Sequence, residues 1–258
     1  MIRFDHVCKE FGPKKVLRDV SFDIQKGETF FIVGLSGAGK SVTLKHMIKL
    51  LSPTSGNITI GDDDLNEAEG KTLSGIRSRF GYLFQSSALL QWMTVLENVG
   101  LPLRENTSMK DAEIDALAME VLKKVSLEEA ADRHPSNISG GMQKRAGLAR
   151  AIISEPEIIL YDEPTSGLDP LTSRNIDQLI DQLRKSLDVT SVVVTHDMIS
   201  ALTIGSRIAM LHHGELVEVS TPEEFLQSDH ETVRLFLDSQ HIDRDFLERY
   251  QGGQHVPA

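Results

Sequence analysis

TFFIVGLSGAGKSVTLKHMI, residues 29–48, decides how this chain folds. Thr29–Val33 is a short apolar run rich in aromatic and β-branched residues, and it reads as a strand buried on both faces. GLSGAGKS at 34–41 follows and matches the pattern G-x-x-x-x-G-K-[ST]. Helical character then runs from Lys40 to Leu51. Strand, glycine-rich turn and helix in this order make a cradle for phosphate. Gly34, Gly37 and Gly39 let successive N–H groups turn inward onto an anion. Lys40 offers a mobile point charge to β- and γ-phosphates, and Ser41 a hydroxyl ligand to Mg2+. The expected nucleotide-binding set is Gly34, Ser36, Gly37, Ala38, Gly39, Lys40, Ser41 and Val42.

Outward from this unit, strands alternate with helices. Ile2–Cys8 and Val16–Ile24 mix apolar and polar positions near period two, and Asn57–Ile60 reads as another short strand. The stretch 76–101 is mixed, with a strand at Gly81–Phe84 and then a loop holding Gln85. Ile114, Leu117, Ala118, Val121, Leu122 and Val125 form the apolar stripe of an amphipathic helix. A further helix starts at Ser139. From Ile158 the alternation resumes: strand IILY, helix near 173–187, strand SVVVT, helix near 198–203, then strands around 208–211 and 216–219. Interleaving of this kind implies an α/β fold whose parallel sheet is covered by helices. Asp62–Asp64 reads as a solvated turn rather than a metal site.

Composition narrows the function classes. The chain has 258 residues, 40% of them hydrophobic and 25% charged, with a net charge of −11. That is an ordinary globular balance, and its acidity argues against non-specific nucleic-acid binding. One cysteine, Cys8, excludes an internal disulfide and a cysteine zinc site. The N-terminus shows no secretory pattern, and no run of about 18 apolar residues occurs. The chain is therefore expected to be soluble and intracellular, with any membrane role coming through a partner.

Two further motifs carry chemistry. In IILYDEP at 158–164 an apolar strand delivers Asp162 to the carboxyl edge of the sheet, where open α/β folds bind ligands. Asp162 suits a carboxylate that holds Mg2+, and Glu163 one that polarises an attacking water. SNISGGMQKR at 136–145 puts Ser139, Gly140 and Gly141 at a helix start, with N–H groups aimed at an anion. On these residues the chain resembles the ATP-binding cassette (ABC) ATPases, whose signature loop usually reads LSGGQ. Ile138 replaces Leu, and Met142 stands where Gln is usual.

The resemblance covers roughly residues 1–235 and implies the fold and the remaining roles. The fold is a P-loop NTPase core with a mostly parallel sheet, an N-terminal antiparallel β subdomain and a helical signature subdomain at about 86–155. The ATPase domain spans 1–240, with a C-terminal extension at 241–258 that either contacts a partner ATPase or frays. Phe11 would stack on adenine, although read alone it is a core residue. Gln85 would report nucleotide state to a membrane partner and contribute to Mg2+ binding. SGLD at 166–169 matches the D-loop, with Asp169 helping to join two subunits, and His196 matches the switch histidine at the γ-phosphate. ATP hydrolysis is implied, with Glu163, His196, Lys40 and Gln85 catalytic. Two copies would pair head to tail, so that Ser139 and Gly141 of one reach the γ-phosphate held by Lys40 of the other.

LFQSSALLQWMTVLENVGLPLRE at 83–105, GKSVTLKHMI at 39–48 and ISGGMQKR at 138–145 look most like the ATPase subunit of bacterial Mla-type (MCE-linked) phospholipid transporters. That implies permease subunits, an MCE-type lipid-binding protein and a place on the cytoplasmic face of the inner membrane. Leu89, Leu90, Trp92 and Met93 would form the groove for a permease helix, or else a helical core. Other cargo (amino acid, metal complex or lipoprotein release) keeps the same motifs, as does a non-transport ABC switch protein.

Overall fold

Burial of every residue of the 29–33 strand sets the layering. The computed structural model describes residues 1–251. In chain order the elements are β1 (Ile2–Phe11), β2 (Lys14–Ile24), β3 (Thr29–Val33), α1 (Lys40–Met47), β4 (Ser55–Ile60), β5 (Asp63–Asp64), α2 (Gly70–Ser78), β6 (Phe80–Leu83), α3 (Val95–Asn106), α4 (Asp111–Lys124) and α5 (Gly140–Ile152). Then come β7 (Ile158–Asp162), α6 (Pro170–Leu187), β8 (Thr190–Thr195), α7 (Met198–Ile204), β9 (Arg207–His212), β10 (Glu215–Ser220), α8 (Pro222–Gln227), α9 (Glu231–Asp238) and α10 (Phe246–Gln251). Packing divides the chain into two compact units, residues 1–69 with 193 onward, and Gly70–Val192.

In the first unit β2, β1, β4 and β5 lie in that order in an antiparallel sheet. Phe4 stacks on Phe22 with ring centroids 4.6 Å apart, and Phe22 on Phe30 at 5.5 Å. This aromatic column ties the antiparallel sheet to β3. β3 runs parallel to β9, with Phe30 opposite Arg207 and Val33 opposite Met210, and β10 folds back antiparallel on β9. The register sets the end of β3 beside Leu211, where the glycine-rich turn begins.

The second unit holds the parallel pair β6 and β7, with Phe80 opposite Ile158 and Leu83 opposite Tyr161. α5 covers β6, and α3 and α4 pack with it as the helical section. Thr94 caps α3 reciprocally: its hydroxyl accepts from the Glu97 N–H, and the Glu97 carboxylate accepts from the Thr94 N–H at 2.7 Å. The next two orphan donors, Val95 and Leu96 N–H, reach the carbonyls of Arg133 and Ala131.

Several expectations change. The helix from Lys40 stops at Met47, because Lys49 turns left-handed and the Leu50 N–H returns to the Lys45 carbonyl at 2.9 Å. Asp63 and Asp64 are not simply a turn; they pair with Ile60 and Thr59. The mixed stretch 76–101 contains the start of α3, whose capping box at 94–97 was its readable signal. Leu117 lies at the margin of its stripe and is 38% exposed, whereas Ile114, Ala118, Val121, Leu122 and Val125 are buried. In the tail Ile242 and Phe246 are buried, and Phe246 stacks on Tyr250 with ring centroids 5.7 Å apart. Gly252-Gly253 and the remainder of the extension lie outside the described residues.

Asn98 shapes the loop before α3. It is fully buried, its Oδ1 accepts from the Leu90 N–H at 2.7 Å, and its Nδ2 reaches the carbonyls of Leu90, Met93 and Thr94 at 3.0, 3.2 and 2.9 Å. Removing the amide leaves those groups without it in a dry site. Asn98→Ala should therefore lower unfolding stability by about 1–3 kcal/mol, read from urea titration. A loss below a few tenths of a kcal/mol would show that water replaces the amide.

Candidate functional site

Backbone geometry at the end of β3 explains why the loop is glycine-rich. Gly34 has φ +148°, and a Cβ there would sit 2.2 Å from the Leu211 carbonyl oxygen on β9, so any side chain would force the two strands apart. The turn closes with the Ala38 N–H donating to the Leu35 carbonyl at 3.1 Å. Gly39 is the N-cap of α1 in left-handed conformation and brings no capping side chain, and no acidic residue lies in the first turn. The positive end of the helix is thus left to an anion. Lys40 is buried, with its ammonium donating to the Gly34 carbonyl at 2.7 Å and to that of Leu35 at 3.3 Å. It lies inside the cradle. Ser36, Ala38, Ser41 and Val42 occupy the same loop and helix start, so the set expected at the phosphates is contiguous in space.

His196 follows β8 in the same unit and is exposed. Its turn is braced at both ends. The Gln240 side-chain amide donates from Nε2 to the His196 carbonyl at 3.0 Å, and its Oε1 accepts from the Met198 N–H at 3.2 Å. Asp197 caps α7 by accepting from the N–H groups of Ile199 and Ser200. Phe11 is 45% exposed with the Lys9 ammonium 5.0 Å from its ring centroid, so it is no core residue.

In the second unit β7 carries Asp162 to its end. Asp162 and Glu163 are both buried. The Tyr82 hydroxyl donates to the Asp162 Oδ2 at 3.4 Å, and burial first, then the Asp162 charge, push the phenol well above the ordinary tyrosine range. Tyr82 therefore stays protonated as a donor. Glu163 adopts φ +50°, a left-handed conformation unusual for a side-chain-bearing residue. Its carbonyl accepts from the Ser166 N–H at 3.2 Å and from the Lys144 ammonium at 2.9 Å. The same ammonium reaches the Gln85 carbonyl at 2.6 Å.

Ser139 is the N-cap of α5, its hydroxyl accepting from the Met142 N–H at 3.3 Å. Gly141 is required by close approach, since a Cβ would lie 2.6 Å from Thr172 Cγ2 on α6. Gln143, one place beyond the usual glutamine, is occupied with the Pro135 carbonyl at 2.9 Å. Asp169 caps α6 through the Thr172 N–H at 3.0 Å and the Thr172 hydroxyl at 2.5 Å, and these bonds hold its carboxyl below the usual range. After Gln85, which is exposed, Leu89 is buried, Leu90 and Met93 are half-buried, and Trp92 is 74% exposed. The apolar stretch is split between core and surface rather than being wholly either.

Sequence reasoning missed Tyr82, Lys144, Arg150 and Gln240. A signal existed for one of them: Lys144 lies three residues after Gly141 and four before Leu148, on the buried face of α5, where an unpaired lysine would be costly.

The family profile described as ABC transporter matches residues 17–166. The chain is 44% identical to a probable ribonucleotide transport ATP-binding protein of Mycobacterium leprae over 236 residues, covering 92% of this chain and 68% of the relative. It is 39% identical to a methionine import ATP-binding protein of Xanthomonas euvesicatoria over 255 residues, covering 96% and 76%. A solved dimeric structure of the ATP-binding cassette MJ0796, in a post-hydrolysis state bound to ADP and Pi, is similar at a TM-score of 0.79 and 36% identity, covering 86% of this chain and 99% of that one.

Lys40→Ala removes the only cation the phosphate loop itself carries. ATP turnover should fall by about 10²–10³-fold or more. A steady-state assay with Mg2+-ATP showing near wild-type turnover would take that role from Lys40.

Proposed function

This chain belongs to the ABC transporter family of ATPases, and we propose that it is the subunit that energises a phospholipid transporter of the bacterial inner membrane. The ATP-binding and ATP-hydrolysing role comes with the family; the cargo and the assembly are the proposal. What carries it is the stretch 83–105, whose resemblance to Mla-type ATPases coincides with a side chain, Trp92, that is large, apolar and exposed. Trp92 and half-buried Leu90 are the surface offered to a permease helix. No described helix is long and apolar enough to cross a membrane. The chain then sits peripherally on the cytoplasmic face, with permease subunits and an MCE-type lipid-binding protein as partners.

A second reading keeps the ATPase and changes the cargo. Relatives described as serving ribonucleotide transport and methionine import favour it. Affinity purification of the tagged chain in mild detergent separates the two. Phospholipid with an MCE-domain protein in the complex is expected; a permease free of bound lipid that drives uptake of a nucleotide or an amino acid would replace the lipid reading. Trp92→Glu should lose the permease while retaining ATP binding and a wild-type melting temperature. Stoichiometric recovery of the permease with that variant would end the docking assignment.

The residue roles in hydrolysis are those that the family resemblance implies. The N–H groups of the Gly34–Gly39 turn and the Lys40 ammonium hold the β- and γ-phosphates, where they stabilise charge that grows in the transition state. Oxygen donors suit a hard cation, and Ser41, Gln85 and Asp162 would hold Mg2+, with Tyr82 steadying the Asp162 carboxylate. When bound, Mg2+ neutralises charge on the phosphate oxygens. Glu163 accepts the proton of the attacking water, and His196 contacts the γ-phosphate. Phe11 stacks on adenine. Ser139, Gly140 and Gly141 of a second copy reach the same γ-phosphate, with Asp169 at the seam; the dimeric form of the MJ0796 cassette supports that arrangement.

Glu163→Gln keeps the size of the side chain and loses the base. Turnover should drop about 10²–10⁴-fold while ATP binding persists. With the γ-phosphate retained, sizing in Mg2+-ATP should show a dimer that Mg2+-ADP does not. Undiminished hydrolysis would remove the base role, and slow hydrolysis without ATP-dependent association would remove the head-to-tail pair.

A further inference from the structure

We propose that Lys144 is a positioning residue for ATP hydrolysis: its buried ammonium joins the carbonyls of Gln85 and Glu163 and so fixes the backbone conformation from which the Glu163 carboxylate acts. This rests on the reading of Glu163 as the base. The geometry is specific. Lys144 is 5% exposed, and its Nζ lies 2.6 Å from the Gln85 oxygen and 2.9 Å from the Glu163 oxygen. A compact ammonium with three rotatable donors can serve two carbonyls from different loops.

Glu163 needs such a hold. At φ +50° it lies in a region that a residue with a side chain occupies only where its surroundings over-determine it. The Ser166 N–H and the Lys144 ammonium together do so, by converging on the one Glu163 carbonyl. If the ammonium is removed, the peptide is free to rotate toward ordinary φ, and the carboxylate swings with it. Burial lowers the basicity of Lys144, while the charges of Glu163 and Asp162 oppose that fall and favour the ammonium.

The other end of the bond makes Lys144 more than a fold rivet. Gln85 opens the loop that leads to Trp92, and Lys144 stands on the helix that Ser139 caps. One charge therefore joins the signature helix, the glutamine loop and the proposed base. Arg150, farther along α5, extends the hold: its guanidinium donates to the carbonyls of Ser87 at 2.6 Å and Ala88 at 2.8 Å. Ser87 and Ala88 are themselves at φ +60° and +46°. A loop held at three carbonyls by one helix cannot move without moving that helix, and Lys144 carries the displacement to Glu163.

The test is a double-mutant cycle in the full chain with Lys144→Met and Glu163→Gln, read as kcat and KM for ATP. Lys144→Met should lower kcat by about 10²-fold, within the range a positioned base supplies, and leave KM within about threefold. In the Glu163→Gln background the same change should cost no further kcat. Lys144→Arg, which keeps the charge and several donors, should recover at least about tenfold of the loss. If Lys144→Met does not fold, Lys144→Gln, which keeps one amide donor, takes its place in the same cycle. Undiminished kcat in the folded lysine variant, or losses that multiply in the double variant, would overturn the inference. A wild-type rate for Glu163→Gln alone would instead strike at the reading of Glu163 as the base.

Discussion

Carbonyls in the loops that leave strand ends need partners, and in this chain side chains, most of them distant in sequence, supply several. Lys144 joins two loops, Arg150 holds one of them again farther along, Asn98 shapes the turn before α3, and Gln240 braces the turn of His196. Each replaces the ladder that regular structure would have supplied. Without such partners, irregular backbone at these places would carry a desolvation cost or turn toward water. The chemistry proposed for Gln85, Glu163 and His196 depends on backbone that something else keeps still.

The two units meet the same demand differently. In the first, the proposed phosphate site is built from the main chain: a glycine with no room for a side chain beside Leu211, a helix start without a capping group, and one lysine folded into the turn. Little rotamer entropy is lost when such a cradle takes an anion, because most donors are N–H groups already directed. In the second unit the groups given roles by the proposal are side-chain carboxylates and an exposed tryptophan. Tyr82 donates to the Asp162 carboxylate, and Lys144 holds the backbone of Glu163. Substitutions there are expected to act through geometry as much as through lost contacts.

The glycines illustrate why a motif and its reason must be kept apart. Gly34 is required by both its dihedral and the approach of Leu211, whereas Gly141 has ordinary helical geometry and is required because α6 passes beside it at Thr172. An identical letter in a pattern answers to two different constraints. The Met142 departure is consistent with this: its N–H still completes the Ser139 cap, and the cap does not depend on the side chain at that place.

Contiguous residues determined the strand at 29–33, the phosphate loop, the helix starts at Gly39 and Ser139, and the strand that ends in Asp162. Periodicity, glycine dihedrals and capping are properties of neighbours in sequence, so they are legible without a fold. The α/β class and the family resemblance were legible for the same reason. Other features were decided only when the chain packed. These include the early end of α1, the exposure of Leu117 and of Phe11, the division of Leu89 from Trp92, and the burial of Phe246. The bond from Lys144 to Gln85 spans 59 residues and that from Gln240 to His196 spans 44. No period or local propensity encodes a partner at such a distance. It is the packing of α5 against β6 and of the C-terminal segment beside α7 that brings those donors to carbonyls needing them.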